Sequence, residues 1–425
     1  MSLELTHERV RARSSGENPG AVFVRDWGGI FLGLLAIGLP VTLHLVSPAL
    51  AILLCAVVAV MVANFATSVV PVVLVFSYLF QNLVVAFVSP GLSSPQELDA
   101  IRAYNFVITA VVWLVLYAGY WIERKDMDPR LRRLIDFTTG ALVLIGLYFC
   151  LGAVSNFVPA VVYLRNVATP FFLIQIFALV AYRGKVEFVR PLAVMAFLAL
   201  MYGYAELFFQ EDFYKLTNGE AYLKLGVQKS FEQGTFLEEM QQTGFVLRSY
   251  LDTMQVSLFN TPLLADWNIT VSRVVGPNFH PISYAYFLVG ASLILMATGR
   301  WLVPVLAVPL VLIVGSKGAV ILFALCAMAL FLSKYVPASR RYWFYMLILT
   351  VYAVAGIIVG IRTSDYHVVG FIGGIRGFLA NPLGHGLGAG GNLSPVDGPA
   401  IGAWPNRPGT RMSESKVPSA SFSTR

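Results

Sequence analysis

The chain has 425 residues, of which 57% are hydrophobic and only 12% are charged. Soluble globular proteins are usually about 25% charged, so the composition excludes a soluble globule and predicts a polytopic membrane protein. The net charge of +7 does not indicate a nucleic-acid partner, because the basic residues are scattered between apolar segments. Three cysteines, Cys55, Cys150 and Cys326, lie within apolar segments, which predicts core packing rather than disulfides or a metal site.

The N-terminal segment, residues 1–28, is polar and carries four arginines. The apolar segment that follows, 29–47, is about long enough to cross a bilayer. A cleaved signal peptide is the alternative, since Ala49-Leu50-Ala51 is similar to a cleavage site. Because another apolar segment follows instead of a polar mature start, we interpret residue 29 as the start of a retained helix.

Ten further apolar segments predict an all-α, polytopic integral membrane protein with about 11 transmembrane helices. They lie at 48–64, 68–88, 104–121, 135–153, 167–182, 191–209, 281–298, 301–315, 318–336 and 343–361. This places seven helices in 29–209 and four in 281–361. A large helical extracytoplasmic loop is predicted at 210–280, and an extracytoplasmic C-terminal segment at 362–425.

The distribution of basic residues predicts the orientation of these helices. Alternate threading from a cytoplasmic N-terminus puts sixteen Lys and Arg residues inside, against Arg102, Arg165 and Lys317 in the short outer loops. Apart from His44 and Glu206, which lie near the outer ends of their helices, the predicted spans contain almost no ionisable residue at mid-span. This scarcity weighs against a coupled transporter, because ion and proton relays need several such groups.

The long outer loop carries a capping box from Thr235 to Glu238, followed by apolar residues spaced three and four apart. This pattern predicts an amphipathic helix over 236–258 that lies on the membrane-embedded body. Arg248 is on this helix, four residues before Asp252. It either pairs with Asp252 or points at an anionic ligand.

Three outer features contain residues suited to binding a phosphate or diphosphate. They are the loop arginines Arg248 and Arg273, the turn Gly315-Ser316-Lys317-Gly318, and the glycine-rich residues 381–388 with His385. Cationic side chains and closely approached backbone amides bind phosphate oxygens, and a histidine can transfer a proton near neutral pH. The alternatives are a snorkelling lysine in a hairpin turn for Lys317, a flexible loop for the glycine run, and a helix-initiating role for His280 before Pro281.

The sequence Arg273-Val-Val-Gly276-Pro-Asn278, which leads into an apolar helix, resembles the arginine-glycine-asparagine signature of bacterial O-antigen polymerases and O-antigen ligases, including exopolysaccharide polymerases. The Gly-Ser-Lys-Gly turn, the run Asn-Pro-Leu-Gly-His-Gly-Leu-Gly and Ser413-Glu414-Ser415 follow in the order of that family. Together these motifs cover residues 270–415, and the first half is similar in architecture only. The family would imply 12 or more helices.

The chain also departs from the family pattern. An arginine or histidine followed by glycine after ten residues is described for some members, but Tyr284 and Val396 stand at those positions after Arg273 and His385. In the family, the Glu-Ser motif continues into further apolar helices, whereas residues 416–425 are polar here. This predicts either a truncated or divergent C-terminus or a tail that is loosely ordered outside, and an inactive form of the protein is a further alternative. Glu414 is therefore not among the predicted site residues.

The resemblance implies a glycosyltransferase that polymerises undecaprenyl-diphosphate-linked oligosaccharide repeats at the outer face of a bacterial inner membrane, without a metal or other cofactor. Arg273 would neutralise the departing diphosphate, helped by Arg248, and His385 would activate the acceptor hydroxyl. The other predicted substrate-binding residues are Asn278, His280, Ser316 and Lys317. The implied partners are the lipid-linked oligosaccharide, membrane lipid, a chain-length regulator and a flippase.

Two other functions remain open from the sequence. An O-antigen ligase would use the same chemistry to pass a finished polymer to a lipid A core. A non-enzymatic polysaccharide or lipid exporter would use the same helices without transferring a sugar.

Overall fold

The computed structural model describes residues 19–184, 186, 188–232, 254–257, 270–363 and 366–389, and it is almost entirely helical. Its α-helices are α1 Pro19–His44, α2 Pro48–Phe65, α3 Val70–Val88, α4 Pro95–Arg102, α5 Tyr104–Glu123, α6 Pro129–Ser155, α7 Phe157–Arg183, α8 Val189–Phe208, α9 Gln210–Leu216, α10 Gly219–Glu232, α11 Pro281–Ala297, α12 Leu302–Val314, α13 Lys317–Tyr335, α14 Ala338–Thr363 and α15 Tyr366–Ala380. Two short strands, β1 Gln255–Ser257 and β2 Thr270–Ser272, pair in antiparallel register.

Eight helical segments of the described chain are long and apolar enough to cross a membrane. They are Trp27–His44, Pro48–Phe65, Thr67–Gly91, Pro95–Glu123, Pro129–Ser155, Phe157–Arg183, Val189–Phe208 and Ser339–Arg362. Shorter apolar helices occur at Pro281–Ala297, Leu302–Val314, Lys317–Ser333 and Gly370–Ala380. Large apolar side chains such as Phe65 and Ile122 are exposed on the outer surface of the helices, as expected for side chains that contact lipid. The prediction of an all-α membrane protein is confirmed at this level.

Local signals in the sequence set several helix ends. Ser47 and Ser94 are N-caps whose hydroxyl groups accept from Leu50 N and Glu97 N, and a proline follows each of them. This is the preferred start of a helix, because proline fixes φ and lacks the N–H that the first turn leaves unpaired. At its C-terminal end, α12 stops at Gly315, which adopts the left-handed conformation with φ +68°.

The chain divides into two compact units. The first comprises Met1–Val143 and Arg165–Val351, and the second comprises Leu144–Leu164 and Tyr352–Arg425. Within the first unit, α1 packs against α2 and α3, α2 packs against α5, and α11 packs against α12, α13 and α8. The buried apolar side chains of these helices form its core.

Several connections between helices meet at one end of the first unit. Here His44 Nδ1 lies 2.6 Å from the Tyr104 hydroxyl oxygen, and the Ser89 hydroxyl donates to the Asn218 carbonyl at 3.3 Å. The opposite end is fastened by ion pairs, including Arg124 with Asp136 at 2.8 Å. The segments before α5, after α8 and after α12 share one end of this unit, because Ser89 contacts Asn218 and Arg273 contacts Val314 at the end of α12.

The structure corrects two predictions about the extramembrane segments. The helix predicted over 236–258 is wrong at its C-terminal end, where Gln255–Ser257 forms β1; the β-branched Val256 pairs with Val271 on β2. The segment 362–425, predicted as an extracytoplasmic tail, contains the apolar helix α15. Its four glycines and short length weakened the sequence signal for this helix.

Candidate functional site

The candidate site is centred on residues 273–280, here called the Arg273 loop, which runs from β2 to α11. The buried carboxylate of Glu206, near the C-terminal end of α8, accepts hydrogen bonds from the backbone of this loop. Its Oε1 accepts from Val275 N at 2.8 Å, and its Oε2 accepts from Gly276 N at 2.9 Å. Oε1 also accepts from the Tyr214 hydroxyl at 2.5 Å. The backbone of the loop is thus fixed by a side chain about seventy residues earlier in the chain.

Gly276 gives the loop a backbone conformation that other residues rarely adopt. Its φ is +71°, and a Cβ at this position would lie 2.3 Å from the Tyr284 ring. The Tyr284 hydroxyl donates to the Ala199 carbonyl at 2.8 Å, which holds the ring in place. Gly276 is therefore required both for its left-handed conformation and for the close approach of the ring.

Asn278 stabilises the same turn from inside. It is only 6% exposed. With its side-chain amide in the orientation that matches donors with acceptors, its nitrogen donates to the Val275 carbonyl at 3.1 Å and to the His280 carbonyl at 3.3 Å. The backbone carbonyl of Asn278 accepts a hydrogen bond from Asn82 Nδ2 at 2.6 Å. Asn278, predicted as a substrate-binding residue, is thus placed where its side chain shapes the loop.

Arg273 lies at the start of the loop beside the turn that follows α12. Its Nε donates to the Val314 carbonyl at 2.9 Å, and its backbone N donates to the Met254 carbonyl at 2.8 Å. The guanidinium group is half-buried, and burial lowers the pKa of Arg273 from its ordinary value. Among the described residues, no carboxylate lies within ion-pair distance of it.

The contact with Val314 brings Arg273 to residues 315–318, here called the 315–318 turn. Ser316 is buried at the start of α13, and its hydroxyl does not cap the helix. Lys317 is exposed. The first amides of α13 have no partner within the helix and carry a partial positive charge. The Val314 contact therefore puts Arg273 beside the turn that contains Lys317 and the start of α13. The role of these residues in binding a phosphate stays a prediction.

His280 ends the loop and initiates α11. Its Nδ1 accepts from Ser283 N at 3.2 Å and lies 2.9 Å from the Ser283 hydroxyl. Because Nδ1 is the acceptor, the proton of the neutral ring is on Nε2, which can donate to a ligand. The surrounding protein atoms, together with the positive charges of Arg102 and Arg273, lower the pKa of His280. His280 therefore combines the predicted helix-initiating role with an available donor.

Arg102 is a basic residue at this end that was not among the predicted site residues. It ends α4, and its guanidinium carbon lies 5.8 Å from the centre of the Tyr222 ring. That ring packs on Phe279 of the Arg273 loop, with 4.6 Å between centroids. The helix that carries Arg102 could have been found from Ser94-Pro95 and Glu97, which form a helix start within the loop after α3.

In the unsubstituted protein, the free energy of unfolding should fall as the pH is lowered from 6.5, the ordinary pKa of histidine, to the lower pKa of His280 in the folded state. The reason is that the unfolded state takes up the proton first.

Replacing Arg102 with glutamine is expected to raise the pKa of His280, because one of the two positive charges that disfavour the imidazolium is removed. Histidine NMR titration checks the shift, with His280→Gln identifying the signal. An unchanged pKa in Arg102→Gln would show that the two side chains do not interact.

The glycine-rich residues 381–388 belong to the second unit, where the glycines serve close packing. A Cβ on Gly386 would lie 2.2 Å from Gly152 N, and one on Gly388 would lie 2.6 Å from Ala160 N. Leu387 N also donates to the Tyr148 carbonyl at 2.9 Å. His385 is exposed, and its Nε2 lies 3.3 Å from Asn381 Nδ2. Arg248 and Ser413-Glu414-Ser415 lie outside the described residues.

The helices and the Arg273 loop together define a polytopic α-helical membrane protein with a cationic site at one end of its first unit. In the part of the chain that the structure describes, no group of three or more His, Cys, Asp or Glu residues could hold a metal ion. Comparisons with protein-family models, with curated proteins and with solved structures each found no match. The function is therefore argued from the residues themselves.

Proposed function

We propose that the protein is a membrane glycosyltransferase that polymerises oligosaccharide repeats carried on undecaprenyl diphosphate at the outer face of a bacterial inner membrane. One observation carries the proposal. Arg273 is a half-buried cation that has no carboxylate partner among the described residues and is fixed beside the 315–318 turn. Burying an unpaired charge is costly, so the arrangement favours an anionic ligand that completes it.

The geometry of Arg273 suits a diphosphate. Its Nε is occupied by the Val314 carbonyl, which orients the guanidinium plane. Its two terminal nitrogens make no hydrogen bond to any residue in the described ranges, and they can bind two phosphate oxygens side by side. The exposed Lys317 and the N-terminus of α13 come within three residues after Val314 and add positive charge to this turn.

The position of the site suits a lipid-linked substrate. The Arg273 loop leads directly into the apolar helix α11, and the 315–318 turn lies between two apolar helices. A diphosphate held there can keep its lipid tail in the bilayer. Transfer would need no nucleotide, because the bond between the sugar and the diphosphate already stores the free energy.

In the proposed reaction, the oxygen of an acceptor hydroxyl attacks the anomeric carbon of the lipid-linked sugar. The bond between that carbon and the diphosphate oxygen breaks, and the diphosphate leaves with the electron pair. Arg273 stabilises the developing negative charge, which is typically a large part of the rate enhancement. The resemblance noted above implies that His385 would accept the hydroxyl proton and that Arg248 would assist Arg273.

The decisive experiment uses the full chain in lipid nanodiscs, supplied with lipid-linked repeats that accumulate in cells lacking this chain's own gene. A ladder of lengthened products is the expected result. Transfer to a lipid A core without a ladder would make the protein a ligase. Movement of unextended repeats across the bilayer of proteoliposomes, with no sugar transfer, would make it an exporter and would overturn the proposal.

The same assay on His385→Ala tests the proton-accepting role. Turnover should be lost while binding of the lipid-linked repeat is retained, because the proposed role of His385 concerns the acceptor and not the diphosphate. Wild-type turnover in this variant would leave His385 with a structural role only.

A further inference from the structure

Glu206 is an unusual residue for the end of a membrane-spanning helix. It is an acidic side chain with 0% exposure, and no basic side chain of the described chain forms an ion pair with it. Acidic residues are rare within membrane spans and are generally retained for a function. The carboxylate is instead satisfied by three hydrogen-bond donors, two of which are backbone amides of the Arg273 loop.

The two oxygens of Glu206 divide between two consecutive amides. Oε1 accepts a hydrogen bond from Val275 N, and Oε2 accepts one from Gly276 N. The carboxylate therefore binds two consecutive backbone amides of the loop, an arrangement here called the fork. These amides lie two and three residues after Arg273, at the position where Gly276 turns the chain with φ +71°. Loss of either hydrogen bond is therefore expected to move the backbone from which Arg273 extends.

From this geometry we infer that Glu206 is a positioning residue for Arg273: by fixing Val275 and Gly276, it sets the orientation in which the guanidinium meets a diphosphate. The inference rests on the proposed function, because it assigns to Glu206 a part in binding the same ligand. Glu206 does not touch that ligand. It acts through the loop backbone alone.

Two substitutions distinguish the geometry of the two hydrogen bonds from the negative charge of Glu206. Glu206→Gln keeps the size of the side chain, but its NH2 group cannot accept from an amide, so one of the two backbone bonds is lost and two donors face each other. Glu206→Asp keeps the charge but is shorter by one methylene, which draws both oxygens away from the loop. Both variants should disturb the position of Arg273.

Two control variants make related changes without breaking the fork. Tyr214→Phe removes the third donor to Glu206 and leaves both backbone bonds intact. Glu211→Gln makes the same chemical change on an exposed carboxylate of α9 that pairs with Lys215. Glu211→Gln should not alter the affinity for diphosphate by more than about twofold, since exposed ion pairs contribute little. Tyr214→Phe should weaken binding less than Glu206→Gln does, because both backbone amides keep their acceptor.

The test is a double-mutant cycle on the full chain in nanodiscs, with undecaprenyl diphosphate as the probe and its dissociation constant as the readout. We expect Arg273→Ala to weaken binding about 100-fold and Glu206→Gln about 10-fold. The double variant should be no weaker than Arg273→Ala, because Glu206 acts through Arg273. The loss of thermal stability caused by Glu206→Gln should persist in the Arg273→Ala background, which separates positioning from folding.

Each other outcome contradicts a specific statement. If the two affinity losses multiply in the double variant, Glu206 does not act through Arg273 and the inference fails while the proposed function stands. If Arg273→Ala binds as tightly as the wild type, the proposed function fails and the inference fails with it. Should Glu206→Gln not fold, Glu206→Asp takes its place in the cycle, and wild-type affinity in that variant would overturn the inference.

Discussion

Replacing Arg273 with alanine is expected to reduce product lengthening by about 100-fold or more, which is the typical effect of removing a donor to a developing negative charge. Arg273→Lys should be nearly as damaging. The Nε of Arg273 is held by the Val314 carbonyl, so the two terminal nitrogens are oriented in a fixed plane. A lysine ammonium is a compact charge that cannot reproduce this fork. The measurement is the rate of ladder formation with lipid-linked repeats.

Arg300→Ala is the matched control for this prediction. It removes the same side chain from an exposed position just beyond the opposite end of α11, and lengthening should continue at close to the wild-type rate. Full activity in Arg273→Lys would remove the bidentate role of Arg273. Single repeats that still reach the outer face in Arg273→Ala cells would favour the polymerase over the exporter, because delivery would then be separate from lengthening.

The second large effect is expected from Gly276→Ala, which should lower the free energy of unfolding by about 3 kcal/mol or more and abolish lengthening. An alanine in the left-handed region costs about 1 to 2 kcal/mol. Overpacking adds about 1 to 3 kcal/mol, because the new Cβ would lie 2.3 Å from the Tyr284 ring. The ring cannot move freely while its hydroxyl donates to the Ala199 carbonyl. Thermal or denaturant unfolding in nanodiscs measures the effect.

Gly299→Ala provides the comparison, because Gly299 has φ +78° but no atom within 4 Å of an added Cβ. This variant carries the backbone cost alone and should lose only about 1 kcal/mol. The difference between the two variants therefore measures the contact with Tyr284. Equal losses would show that the Arg273 loop yields to the added methyl group and is less tightly fixed than the distances indicate.

The helices of this protein could largely be read from the sequence, since each of the eleven apolar segments lies on a helix of the structure. The errors concern segments where the apolar signal is weak. The prediction of a helix through Gln255–Ser257 failed because the spacing of a few apolar residues could not reveal the pairing of β1 with β2. The helix α15 was missed because its glycines lower the helix propensity.

The candidate site was predictable only in part. Arg273 and the 315–318 turn were recognised separately from residue type, and their meeting was a hypothesis that the Val314 contact supports. From the sequence, Arg102 was interpreted only as a basic residue in an outer loop, and Glu206 only as an ionisable residue near the end of a membrane span. Their positions depend on contacts with Tyr222 and with the Arg273 loop, which no short sequence pattern encodes.

The sequence by itself determined that this is an α-helical membrane protein and where most of its helices run, because the length and hydropathy of a segment are local properties that the bilayer selects. Tertiary structure alone decided which polar residues meet. The hydrogen bonds from Val275 to Glu206 and from Arg273 to Val314 join residues 69 and 41 positions apart. Such contacts follow from helix packing, which brings distant parts of the chain to one end of the first unit.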